Sequence, residues 1–89
     1  MKEGQIVKIT ETRFNGFDFL KGMIGCIIDI YSGKNWADER VVLVYFTSRN
    51  GGPGEGSIEL VFAEGELALA TNRESLLYYI HGSEALLNE

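Results

Sequence analysis

The side chains able to do chemistry are few and scattered. His81 is the single histidine and Cys26 the single cysteine of the 89 residues, so the chain cannot assemble a histidine metal cluster or a thiolate site. Cys26 stands among apolar neighbours and reads as a small buried hydrophobe, and with no second cysteine it forms no internal disulfide. A Ser-His-Asp triad would have to recruit His81 from a terminal helix. Two carboxylate pairs exist, Glu64 with Glu66 and Asp38 with Glu39. Both fall in predicted turns, where charge is solvated, whereas acid–base chemistry needs a cleft that raises one carboxyl pKa. The glycine-rich stretch Asn50-Gly51-Gly52-Pro53-Gly54-Glu55-Gly56 lacks the closing Lys-Ser/Thr of a phosphate loop and runs into a strand-like segment, so it reads as a long hairpin connection. The expectation is a protein that is not an enzyme, with no catalytic residue, cofactor or metal.

The elements that position these residues are mostly strands. Lys21 to Ile30, led by Gly22 and Gly25, and Val41 to Phe46 are apolar on both faces and read as two inner strands of a small closed or half-closed β structure. The first strand is expected over Gln5–Thr12, where Val7 and Ile9 alternate with Lys8 and Thr10. The second covers Met23–Tyr31, the third Arg40–Thr47, the fourth Ser57–Phe62 and the fifth Leu67–Ala70, with Ala63–Glu66 as a tight turn. The period then changes. Thr71-Asn72-Arg73-Glu74 fits a capping box, Leu76, Leu77 and Ile80 recur at helical spacing, and Gly82 suits a helix end. Leu76, Ile80 and Leu87 supply a face that packs on the sheet or serves a homodimer interface.

Candidate binding residues are aromatic and acidic. Phe14, Phe17 and Phe19 lie in one eight-residue loop, Arg13–Leu20, around Asn15-Gly16. The expectation is that this loop folds back to plug one mouth of a barrel; the alternative leaves one or two rings on the surface as a protein contact, with Trp36 as half of a groove and Tyr45 nearby. Tyr31, Trp36 and Tyr45 are the rings from which a methyl-lysine cage would have to be built. Up to Arg40 six basic residues balance six acidic ones, and beyond it Arg49 and Arg73 face seven glutamates, so the net charge of −5 belongs to the second half. Such a chain repels nucleic acid. Glu55, Glu59, Glu64 and Glu66 could instead imitate phosphates, making the chain an inhibitor of a nucleic-acid-binding protein. The start of the chain shows no apolar signal segment and no run reaches the roughly 18 residues needed to cross a bilayer, so a cytoplasmic protein without membrane contact is expected.

The stretch Lys21-Gly22-Met23-Ile24-Gly25-Cys26-Ile27 resembles the Gly-x-x-Gly-x-Val opening of KOW-type domains. Val42-Leu43-Val44-Tyr45-Phe46, the glycine-rich gap and Phe62-Ala63-Glu64-Gly65-Glu66-Leu67 are similar to the closing strands of the small SH3-like β-barrels, a group that includes photosystem I subunit IV, the nitrile hydratase β-chain barrel and small prophage-encoded barrels. The resemblance implies a mainly β fold: a five-stranded SH3-like barrel over residues 1–70 with a C-terminal α-helix over 71–89. The chain departs from KOW domains in being acidic, and from peptide-binding SH3 domains in lacking the Ala-Leu-Tyr-Asp-Tyr segment and the Trp-Trp pair. The function expected is a protein-binding module, phage- or prophage-encoded, with an accessory subunit of a larger complex as a further alternative.

Overall fold

A computed structural model describes residues 1–14, 16–34, 38–47 and 58–83. Five strands, β1 (Ile6–Ile9), β2 (Ile24–Lys34), β3 (Arg40–Phe46), β4 (Ile58–Ala63) and β5 (Leu67–Leu69), form one antiparallel sheet in the order β4-β3-β2-β1-β5. A helix, α1 (Asn72–His81), follows. The mainly β architecture with one C-terminal helix is as the hydrophobic patterning implies.

The two inner strands pair directly, Cys26 opposite Tyr45 and Ile27 opposite Val44. Gly22 has φ +84° and turns the chain into β2. Gly25 lies within β2, where a Cβ would stand 2.6 Å from a Val44 methyl and 2.9 Å from the Tyr45 carbonyl. Only a residue without a side chain lets β3 come this close.

The sheet curls around Val7, Ile9, Leu20, Ile27, Val42, Val44, Phe46, Phe62 and Leu67. Phe46 and Phe62 meet edge to face at 5.9 Å. Outside the sheet, a smaller cluster of Ile6, Ile24 and Tyr78 seats α1 on β1 and β2.

Two expectations are corrected. The sheet does not close: β4 and β5 are joined by a single 3₁₀ turn, Glu64–Glu66, and each ends the strand order unpaired with the other. The first strand stops at Ile9 instead of Thr12 for a related reason. The Thr10 and Glu11 N–H groups both donate to the Glu66 carbonyl, at 2.9 and 3.3 Å, which draws the chain out of the β1 ladder.

The helix begins as its capping box requires. Thr71 Oγ1 accepts from the Glu74 N–H at 3.1 Å and the Glu74 carboxylate accepts from the Thr71 N–H at 2.9 Å. Its buried face, however, is Tyr78 with Leu77 beside it, while Leu76 and Ile80 are more than half exposed. Leu87, the third residue assigned to that face, lies outside the described residues. Two anchors turn the helix this way. Lys8 of β1 pairs with Glu74 at 3.0 Å. Beyond the helix, Gly82, at φ +81° and ψ −168°, reverses the chain in a conformation open essentially to glycine. Ser83 then bridges the inner strands: its N–H donates to the Thr47 carbonyl at 2.8 Å, its Oγ accepts from the Thr47 N–H at 3.0 Å, and its carbonyl accepts from Ile24 N–H at 3.0 Å. Burial pushes the Tyr78 hydroxyl up to about 12, with Cys26, Tyr45 and Tyr79 adding to the effect.

Two predictions follow from these anchors. Ser83→Ala removes the Oγ that accepts from the half-buried Thr47 N–H and should destabilise the protein by about 1–3 kcal/mol in urea unfolding. The Thr71 N–H, and after it Lys8, hold the Glu74 carboxyl below the usual carboxylate range. Its contribution is therefore present above the unfolded carboxyl pKa and is lost as pH falls through the lower folded value. The gap in urea midpoint between wild type and Glu74→Gln should be largest near neutrality and close below about pH 4.

Candidate functional site

The loop between β1 and β2 carries the three phenylalanines, and their rings are exposed: Phe14 71%, Phe17 41% and Phe19 67%. The residue that plugs the curled sheet is Leu20, at 2% exposure. The expectation that the rings fill the mouth is thus overturned. A 3₁₀ turn, Asp18–Leu20, points one side chain inward and leaves the preceding aromatics outside. Phe17 and Phe19 stack on each other at 6.4 Å.

Although its rings face water, the loop is tied down at both ends. The Arg13 N–H donates to the Glu66 carboxylate at 3.0 Å, and the Arg13 guanidinium forms a two-pronged bond with Glu39, one arm at 3.1 Å. That bond to Glu39 raises the guanidinium pKa. Glu39 also accepts from the Gly65 N–H at 2.9 Å, which links the loop to the corner before β5. Nearer the 3₁₀ turn, Thr12 Oγ1 donates to Asp18 at 3.0 Å. Phe14 is held between these ties.

Beside Phe14 the surface is hollow in two places. One cavity of about 70 Å3 is lined by Thr12, Phe14, Phe17, Leu20, Leu60 and Phe62 among others. A second, of about 360 Å3, lies against Arg13, Phe14, Val41, Val61, Phe62 and Ala63. Both occupy the slot between the Thr12–Phe17 loop and β4, where the sheet fails to close. Leu60, Val61 and Phe62 are thus part of the surface that the loop aromatics face. Sequence reasoning missed that role, because alternation marks them as an ordinary half-exposed strand and says nothing of what stands opposite.

The other sequence candidates lie elsewhere. Tyr45 is half-buried on the outer face of β3, opposite Cys26 on β2 and Glu59 on β4, and lines neither cavity. Tyr31 is exposed near the far end of β2. Trp36 and Glu55 lie outside the described residues. The four-glutamate face is corrected as well. Glu66 is 4% exposed and its carboxylate accepts from the Arg13 and Ala63 N–H groups, both at 3.0 Å. Glu64 is half-buried and pairs with Arg40 at 3.6 Å. Glu59 is exposed on β4. A carboxylate that two amides must hold in the interior cannot also present a charge to a partner.

Cys26 is half-buried and its thiol is pushed up by burial, which disfavours the reactive thiolate. His81 is exposed in the last turn of α1. Among the described residues no three His, Cys, Asp or Glu side chains gather as metal ligands. No helix among them is long and apolar enough to cross a membrane.

Glu66 is the piece on which the loop and the corner both depend. Replacing it by Gln puts an NH2 group where an amide acceptor is needed, so one of the two N–H groups loses its partner. Glu66→Gln should cost about 1–3 kcal/mol of stability and raise amide hydrogen exchange at Arg13 and Phe14 while leaving the β2–β3 pairs protected. Compared with known proteins, the chain matches no protein-family model and no curated protein.

Proposed function

We propose that this chain is a non-enzymatic protein-binding module acting through the aromatic loop. The observation that carries the reading is the combination at residues 12–20: three phenylalanine rings left in water on a backbone that Glu66, Glu39 and Asp18 hold in place, beside two apolar hollows. Aromatic side chains are large, rigid anchors, and a clustered exposed set next to concave apolar surface is the kind of patch through which proteins contact one another. Ordering a loop is one of the costs of recognition, and a loop whose backbone is already pinned has less of it left to meet. The fold is read as an SH3-like barrel with an unpaired seam, supported by the strand order and by the KOW-like opening of β2; that resemblance speaks to architecture, and function is argued from the loop.

The experiment is an affinity capture from the source cell with the wild-type chain and with a Phe14→Ala/Phe17→Ala/Phe19→Ala variant. Because the three rings contribute little to the core, the variant should keep the wild-type unfolding midpoint and lose the captured protein. Undiminished capture by a folded variant removes the loop from the binding surface.

A further inference from the structure

β4 ends the strand order, and among the described residues β3 is the one strand paired with it. An edge strand presents a row of N–H and C=O groups ready to pair with another chain. This edge faces a slot. Across the slot stands the Thr12–Phe17 loop, and its floor is Leu20, Leu60 and Phe62. The Ala63 N–H is already taken by Glu66, so among the described residues the stretch left for pairing is Ile58–Phe62, where every second residue turns its N–H and C=O away from β3.

The geometry points to strand addition: an extended segment of a partner protein, alternating apolar and basic residues, lies along β4 in this slot and extends the sheet. The inference rests on the protein-binding reading above and names its mode. Side chains of paired strands alternate in step. Leu60 and Phe62 face the core side of β4, and Glu59 and Val61 the other. A guest strand therefore places every second side chain in the hollows beside Phe14 and Phe17, and the intervening ones beside Glu59. The larger hollow, about 360 Å3, falls within the roughly 300–1,000 Å3 of surface sites that hold ligands.

Charge selects the guest. Besides the buried Glu66, the segments that bound the slot, 11–18 and 58–66, carry four carboxylates, Glu11, Asp18, Glu59 and Glu64, the last paired with Arg40 at 3.6 Å, and one guanidinium, Arg13. Arg13 is itself engaged by Glu39 and by Glu11 at 3.5 Å. A strand carrying Lys or Arg on its outward positions meets this excess favourably. A second copy of the chain, with the same net charge of −5 and the same acidic edge, is repelled. A proline-rich guest lacks the N–H groups that pairing uses.

The test uses a labelled, acetylated peptide of alternating Lys and Val, about eight residues long to match a strand. Controls are the same peptide N-methylated at alternate residues on its pairing edge and a peptide of alternating Glu and Val. Fluorescence anisotropy should show binding of the first, at least about tenfold weaker binding of the N-methylated form from the loss of two or more backbone hydrogen bonds, and none of the acidic one. Phe14→Ala and Glu59→Lys, both at exposed positions, should each weaken binding with the unfolding midpoint unchanged. Amides of residues 58–62 should gain exchange protection on titration. Indifference to N-methylation, equal binding of the acidic peptide, failure of any peptide to bind, shifts confined to the α1 surface, or self-association through β4 without peptide would each overturn strand addition. If the loop variant still abolishes partner capture while these peptide results fail, the protein-binding reading stands and the mode alone falls. If capture is unaffected by the loop variant, that reading falls too.

Discussion

The geometry around the slot depends on one carboxylate with almost no access to water. A buried carboxylate costs several kcal/mol unless hydrogen bonds replace its hydration. Glu66 meets that condition with N–H groups from two separate segments, Ala63 just before its own turn and Arg13 in the aromatic loop. Its backbone carbonyl does related work, accepting from Thr10 and Glu11. One residue thereby ends β1, sets the corner from β4 to β5 and pins the base of the loop. The seam stays open at the place where Glu66 has taken up the nearby backbone groups.

The second constraint is the close approach of β2 and β3 at Gly25. It draws the inner strands together beneath Phe46 and Val44, and it aligns Ile24 with Thr47 so that one residue, Ser83, can bridge them. The helix is then fastened at both ends, by Glu74 to Lys8 and by Ser83 to the sheet. Between these ties only one rotation of α1 is compatible with burying Tyr78. Leu76, Tyr79 and Ile80 are consequently left outward, although their spacing suits a packed face as well.

These constraints separate rigid from presented surface. The loop aromatics contribute little to the core, so their positions are set by polar ties. Such an arrangement leaves apolar area on the surface without requiring the fold to open.

Local chemistry alone determined the elements. Alternation at Val7 and Ile9, the apolar runs of the inner strands, and the Thr71–Glu74 box each act between near neighbours, and the five strands and the helix form in the order those signals give, though β1 ends early at Ile9. The candidate aromatics were legible too, because three phenylalanines in one loop are visible without coordinates. What only the tertiary structure decided is which groups meet. Glu66 is written like its turn neighbour Glu64, yet it is buried because Arg13, 53 residues away, brings an N–H to it. Leu20 enters the core and the phenylalanines do not, because the 3₁₀ turn aims one side chain inward. Ser83 and the open edge of β4 depend on contacts between segments distant in the chain, and spacing along a sequence carries no record of such distances.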